Sequence, residues 1–119
     1  MAQVQPIRFG YSHPLKTAYK KGLLPTVKYD AYGNLLTKEN VSLEHIIPHS
    51  KGGKTVLSNL LLANKKTNNL RGVRPLYLYA SKGMILFYLE QFKNIKNQYI
   101  DGNEYIKLIK ETLEKEHTL

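Results

Sequence analysis

Hydrophobic residues recur at helical spacing in the C-terminal part of the chain. A period of three to four residues is typical of an amphipathic helix. Two stripes follow this period: Met84, Phe87, Tyr88, Phe92 and Ile95, and then Tyr105, Leu108, Ile109 and Leu113. Asp101 and Glu104 precede the second stripe at the spacing of a capping box, so this helix is expected to begin just after Asp101. The pattern predicts a helical C-terminal extension over 81–117, with the stripes as packing surface.

A different pattern marks the middle of the chain. Residues 41–47 include β-branched residues and a partial period of two, which favours a strand that Pro48 ends. Residues 60–63 fit a second short strand, although an apolar run of this length is also compatible with a helix. Residues 64–71 fit a helix that ends at Gly72.

Turn and cap signals complete the N-terminal part. Ser12 as N-cap and Pro14 in the first turn predict a helix that stops at Gly22, with Pro25 beyond it. Residues 30–34 contain Asp, Gly and Asn, which are typical of a turn. The elements together predict an α+β fold.

Composition narrows the class of protein. A length of 119 residues predicts a single domain, 1–119. Cysteine is absent, which excludes disulfides, a thiolate nucleophile and a Cys-ligated zinc. No apolar run approaches the roughly 18 residues of a membrane span, and the N-terminus lacks the pattern of a secretory signal. We therefore expect a cytoplasmic protein that has no membrane partner.

Positive charge is concentrated in the middle of the chain. The formal net charge is +9. Residues 45–89 contain no Asp or Glu but carry seven basic residues: Lys51, Lys54, Lys65, Lys66, Arg71, Arg74 and Lys82. Such a segment favours a surface that meets a polyanion, above all a nucleic acid. The alternative from charge alone is a solvated lysine-rich face.

Four polar residues in this region have side chains suited to catalysis. Glu44 offers a carboxylate for a hard cation, and the adjacent His45 offers an imidazole that accepts a proton near neutral pH. Neighbours on a strand point to opposite faces, so the two can share a site only where the strand bends, as Pro48 and the following glycines would allow. Asn59 and Asn68 supply amide oxygens suited to Mg²⁺ or to hydrogen bonding.

The arrangement as a whole resembles a known family. Glu-His-Ile-Ile-Pro-His-Ser-Lys-Gly-Gly at 44–53 is followed by Asn-Leu at 59–60 and by Asn-Asn-Leu-Arg-Gly at 68–72. This pattern is similar to that of the HNH endonucleases. The resemblance covers 43–72, whereas the flanks match no pattern that we can name.

The resemblance implies a ββα-metal finger core over 41–72, with an N-terminal helix and C-terminal helices packed around it. His45 would be the general base, and Asn59 would make a hydrogen bond that fixes either the imidazole or the loop. Glu44 and Asn68 would bind one divalent cation, Mg²⁺ or Mn²⁺. The implied activity is hydrolysis of DNA phosphodiester bonds. A monomer with one site, the default expectation, would nick one strand at a time, whereas double-strand cleavage would imply a dimer.

The resemblance and the charge pattern together predict a nucleic-acid interface. Its expected residues are His49, Lys51, Lys54, Lys65, Lys66, Arg71 and Arg74. The expected partner is DNA, with RNA as an alternative. Tyr77 and Tyr79 alternate with leucines, which favours burial over base stacking. Two other functions stay open: a nucleic-acid-binding protein that does not cut, and an accessory or inhibitor protein that acts through its C-terminal helices.

Many relatives carry two Cys-x-x-Cys pairs that bind a structural zinc. The equivalent segments here are 29–33 and 64–67, and Tyr29 and Tyr32 stand where the first pair of thiols would be. The resemblance therefore implies a zinc-free finger whose two layers are held by aromatic packing.

Overall fold

Residues 13–116, which the computed structural model describes, contain four α-helices and one two-stranded antiparallel sheet. The elements are α1 (Pro14–Lys20), β1 (Val41–His45), β2 (Leu60–Asn64), α2 (Lys65–Arg71), α3 (Lys82–Glu90) and α4 (Gly102–Lys115). Single 3-10 turns lie at His49–Lys51, Leu57–Asn59 and Leu76–Leu78. The predicted α+β class is confirmed, and β1, β2 and α2 follow one another as a ββα unit. None of the helices in this part of the chain is long and apolar enough to cross a bilayer.

The cap of α1 differs from the prediction. Ser12 lies outside the described residues, and His13 occupies the N-cap position, where its Nδ1 accepts a hydrogen bond from the Leu15 amide at 3.0 Å. A neutral histidine can cap a helix in this way because one ring nitrogen carries a lone pair.

The β1–β2 hairpin places the end of β1 beside the start of β2. His45 pairs with Leu60, and Val41 pairs with Asn64 at the other end. β1 ends at His45, two residues earlier than predicted, because the Ile47 amide bonds the side chain of Asn59 rather than a neighbouring strand. The chain therefore leaves the sheet directly after His45.

The second strand is buried and its outer edge is closed by tyrosines. Leu60, Leu61 and Leu62 are all fully buried. The Leu62 amide donates to the Tyr88 hydroxyl at 2.8 Å, and the Tyr105 hydroxyl donates to the Leu60 carbonyl at 2.7 Å. An unpaired strand edge needs such partners when it is buried. The α3 and α4 helices thus complete the sheet as well as covering it.

The predicted helical extension consists of two helices with a connection between them. Asp101 caps α4, where its Oδ1 accepts from the Glu104 amide at 3.1 Å, as the sequence predicts. The first apolar stripe is only partly packing surface, since Phe87 is 56% exposed and Ile95 lies beyond the end of α3. Phe87 contributes to packing only through Tyr29, because α3 turns its other side, with Ile85, Tyr88 and Leu89, into the core.

Hydrogen bonds join the 30–34 turn to the segment 64–67. These are the segments where the resemblance implies a finger without zinc. Asp30 is buried, and its Oδ1 accepts from the amides of Tyr32 and Asn34, both at 2.9 Å. Its Oδ2 accepts from the Asn64 amide at 3.0 Å, and Asn34 Nδ2 donates to Thr67 Oγ1 at 2.5 Å. One buried carboxylate therefore links the two segments that the cysteine pairs link in relatives.

The two tyrosines of this turn make different contacts from those expected. Tyr29 packs against Phe87, with ring centroids 6.3 Å apart, and Tyr32 packs edge-on against Tyr79 at 6.5 Å. These aromatic contacts join the turn to the C-terminal half. The expectation that aromatic packing replaces zinc is corrected, because hydrogen bonds connect the turn to the segment 64–67: Asp30 bonds the end of β2, and Asn34 bonds α2.

Candidate active site

Glu44 and His45 occupy opposite faces of the last two positions of β1. Glu44 points into the protein and is 2% exposed. His45 is half-buried on the other face. Successive side chains of a strand point to opposite faces, and the change from a buried Glu44 to a half-buried His45 agrees with this. The two side chains therefore have separate surroundings.

The imidazole of His45 is oriented by a hydroxyl and faces a second imidazole. Its Nε2 lies 2.8 Å from Thr55 Oγ1, and its ring centroid lies 5.3 Å from that of His49. Burial lowers the pKa of His45, and the nearby charge of His49 lowers it further. His45 is thus neutral near pH 7, and when Nε2–H donates to Thr55 the lone pair is on Nδ1. These are the properties of a general base.

Asn59 fixes the loop that follows β1. Its Oδ1 accepts from the Ile47 amide at 2.9 Å, while its Nδ2 donates to the carbonyls of Ile47 and Lys54, both at 3.0 Å. The sequence left open whether Asn59 holds the imidazole or the loop, and the structure answers that it holds the loop. Gly53 is required here, because a Cβ at this position would lie 1.7 Å from the Ile47 carbonyl oxygen.

The Glu44 carboxylate is bound by two side chains. Its Oε2 is 2.8 Å from Nη1 of Arg71, and its Oε1 accepts a hydrogen bond from the Tyr32 hydroxyl. Burial raises the pKa of Glu44, while the hydrogen bonds from Tyr32 and Arg71 and the charge of Arg71 act in the opposite direction. Arginine stays protonated in proteins, so an ionised Glu44 makes the pair electroneutral.

Arg71 is a buried residue that braces the end of β1. It is 1% exposed, and its Nη1 and Nη2 donate to the carbonyls of His45 and Ile46 at 3.0 and 2.8 Å. Its Nε donates to the Arg74 carbonyl at 2.7 Å. The expectation that Arg71 contacts a phosphate is therefore corrected, because its guanidinium is enclosed and engaged inside the protein.

The side chains as arranged do not fit a directly bound divalent cation. Asn68 Nδ2 donates to Ser42 Oγ and to the Leu43 carbonyl at 3.2 and 3.1 Å, which leaves its Oδ1 as an available ligand. Both oxygens of Glu44 are already hydrogen-bonded. Within residues 13–116, no group of three or more His, Asp or Glu side chains is placed to hold a metal ion. The ligand pair Glu44 and Asn68 stays a prediction.

Comparison with known proteins places this site in a family. A family model described as HNH endonuclease matches residues 31–74, which include the hairpin, the loop and α2. Over these residues, which are less than half of the chain, the protein is similar to HNH endonucleases. No curated protein and no solved structure matches the chain significantly. The HNH segment thus accounts for the finger, and members of this family act on nucleic acids.

The basic residues of the HNH segment form two groups on the surface. His49, Lys51 and Lys54 are exposed on the loop beside His45, and Lys65 and Lys66 are exposed in the first turn of α2. His45 and the first turn of α2 lie at opposite ends of the hairpin, because Val41 at the far end of β1 pairs with Asn64. The predicted interface therefore extends along the finger, and Arg74 is exposed just beyond α2.

Sequence reasoning missed one lysine beside the second group. Lys16 of α1 lies near Lys65: burial lowers the pKa of Lys16, and the charges of Lys20 and Lys65 lower it further. Lys16 is separated from Lys65 by more than forty residues, so only the packing of α1 brings the two together.

Thr55 and Tyr32 are the other residues that the sequence did not identify. Thr55 orients His45, and Tyr32 binds Glu44. For Thr55, the sequence offered one signal: it is a hydroxyl residue in the loop between His45 and Asn59, close enough along the chain to contact the imidazole. For Tyr32 the sequence offered no signal, because its partner lies twelve positions further along the chain.

Proposed function

We propose that the chain is an endonuclease that hydrolyses DNA phosphodiester bonds, with His45 as the general base. The observation that carries this proposal is the state of His45: a half-buried imidazole with a lowered pKa at the end of β1 in an HNH segment. A base that is neutral at physiological pH can take a proton without first losing one.

In the proposed reaction, Nδ1 of His45 takes a proton from a water molecule, and the resulting hydroxide attacks the phosphorus atom. The bond from phosphorus to the leaving oxygen then breaks, and that oxygen receives a proton from solvent. Thr55 holds the other ring nitrogen, so the imidazole keeps one orientation during the transfer. Asn59 keeps the loop beside it in place. A positioned base of this kind contributes roughly 10²–10⁴-fold to a rate.

A divalent cation, Mg²⁺ or Mn²⁺, is part of the proposal because HNH nucleases generally use one. Asn68 Oδ1 is the ligand that would need no rearrangement. Glu44 would have to leave Arg71 and Tyr32 to reach a cation. The requirement for the cation is therefore tested separately from the role of His45.

The proposed DNA contacts are the exposed basic residues along the finger. They are His49, Lys51, Lys54, Lys65, Lys66 and Arg74. Arg71 is left out because it is buried. Each phosphate neutralised would make the logarithm of the binding constant fall by about 0.9 per decade of salt for a duplex.

Incubation with supercoiled plasmid tests the activity. Conversion to open circle in Mg²⁺ or Mn²⁺, its loss in a chelator, and its return when the metal is restored are the expected results. Parallel reactions with single-stranded DNA and with RNA define the substrate. Absence of any product across the metal series would contradict the proposal.

A second candidate function is nucleic-acid binding without cleavage. It is favoured by the contacts of Glu44 with Arg71 and Tyr32, which engage both oxygens of the carboxylate that is predicted to bind the cation. Tight, salt-sensitive binding with no product in either metal would support this function over the first.

A further inference from the structure

A groove lies behind the loop that carries the candidate active site. It has a volume of about 420 Å³ and runs between the segment 46–51 and the segment 71–77. Its lining includes Lys51, Arg74 and Tyr77. Pockets that hold small organic ligands have volumes of roughly 300–1,000 Å³, so this groove has room for one nucleotide.

The groove and the candidate active site share the turn at His49–Lys51. The His49 ring faces the His45 ring on one side of this turn. Lys51 of the same turn and Pro48, which precedes the turn, line the groove. A strand that passes the imidazole would therefore reach the groove within a short distance.

One aromatic side chain that lines the groove is exposed to solvent. Tyr77 is 61% exposed, contrary to the burial that its alternation with leucines predicts. It lies in the 3-10 turn Leu76–Leu78, directly after Pro75. An exposed tyrosine face is a surface on which a nucleobase stacks, and such stacking does not depend strongly on sequence.

The charge of the groove suits a phosphate. Arg74 donates from Nη1 to the Leu70 carbonyl at 2.8 Å, which holds the guanidinium and leaves Nε and Nη2 without a partner among residues 13–116. Arg71 also lines the groove, but its charge is balanced by Glu44 outside the groove. Lys51 and Arg74 then stand against one lining carboxylate within the described residues, Glu116, so the groove is net positive.

We propose that this groove binds one unpaired nucleotide of the substrate strand, with its base against Tyr77 and its phosphate between Lys51 and Arg74. The inference rests on the proposed function, since it takes the ligand to be part of the nucleic acid that reaches His45. Only an unstacked base can offer its face to a tyrosine, because bases in a duplex are covered by their neighbours. The preferred substrate would thus contain unpaired bases, as in a single strand, a gap or a flap.

Binding in the presence of a chelator tests the groove without requiring cleavage. Fluorescence anisotropy is measured with a short labelled single strand of DNA, the same sequence as RNA, and the same sequence as a duplex. Tyr77→Ala is expected to weaken binding of the single strands roughly 5- to 150-fold, the loss of one stacked base, and to change duplex binding little. Tyr77→Phe keeps the ring and should bind as the wild type does.

Two further variants distinguish base stacking on Tyr77 from the phosphate contact of Arg74 and from the general effect of removing an exposed aromatic side chain. Arg74→Gln should lower the salt slope of single-strand binding by about one phosphate contact. Phe87→Ala is the matched control, because Phe87 is an aromatic residue of similar exposure, 56%, outside the groove. It should leave single-strand binding unchanged.

The outcomes distinguish this inference from the proposed activity. Equal binding of wild type and Tyr77→Ala to single strands would contradict the proposal that the groove binds a nucleotide, whether or not the wild type cuts plasmid. An equal loss in Phe87→Ala would also overturn it, since the effect would then not belong to the groove. A loss of single-strand affinity in Tyr77→Ala but not in Phe87→Ala, with a wild type that does not cut DNA, would support nucleotide binding in the groove and contradict the proposed nuclease activity.

Discussion

Replacement of Arg71 by methionine should destabilise the protein strongly. The change leaves the buried Glu44 carboxylate without its cation, although Tyr32 still donates to it. It also removes the donor from three carbonyls, those of His45, Ile46 and Arg74. Methionine keeps much of the volume, so the loss reports charge and hydrogen bonding more than packing.

The structure sets the size of the effect. Breaking a buried ion pair by removing one partner costs about 3–5 kcal/mol, and both partners here are 2% exposed or less. Carbonyls that lose their donor and do not regain water cost about 1 kcal/mol each. With three carbonyls affected, we expect a loss of about 6–8 kcal/mol in the free energy of unfolding, a large part of the roughly 5–15 kcal/mol of a typical domain.

Urea unfolding followed by circular dichroism measures this loss. Arg74→Met is the matched control, because Arg74 is exposed and three positions further on, and it should change stability by about 0.5 kcal/mol or less. Adding Glu44→Gln to Arg71→Met should recover part of the loss, since the unpaired charge is then removed. A loss below about 1.5 kcal/mol in Arg71→Met would refute the reasoning.

Two other predictions follow from the site and the loop. The charge of His49 helps to lower the pKa of His45, so His49→Gln should raise that pKa and move the acid limb of the kcat–pH profile to higher pH; a limb that stays or moves down would contradict this. Gly53→Ala should lower the free energy of unfolding by about 2 kcal/mol or more, because its Cβ would lie 1.7 Å from the Ile47 carbonyl oxygen. The control Gly83→Ala in α3 should raise the free energy of unfolding by roughly 0.5–1 kcal/mol. Equal unfolding midpoints for the two variants would contradict the role assigned to Gly53.

Features set by neighbouring residues in the chain could be predicted from the sequence. The hairpin, α2 and the start of α4 depend on local patterns, namely the HNH motif and the Asp101 cap. Asn59 was identified as a hydrogen-bonding residue on the same basis. Only the structure decided that it closes the loop rather than touching the imidazole.

Features set by distant partners could not be predicted. From the sequence, Arg71 resembles a phosphate-binding residue because it is basic and lies in a basic segment. Its contact with Glu44, twenty-seven positions earlier in the chain, instead makes it a buried structural residue. Asp30 has the sequence context of an ordinary turn residue, yet its carboxylate joins the turn to the end of β2, thirty-four positions further along the chain. The tyrosines of α3 and α4 similarly bond the edge of β2, across 26 and 45 positions.

The rate of plasmid nicking by His45→Ala tests the central claim most directly. Compared with wild type in the same metal, the variant should cut roughly 10²–10⁴-fold more slowly, because the water then lacks its proton acceptor. Its affinity for DNA, measured in a chelator, should stay close to the wild-type value, since the basic residues are untouched. A variant that nicks as fast as the wild type would show that another group activates the water.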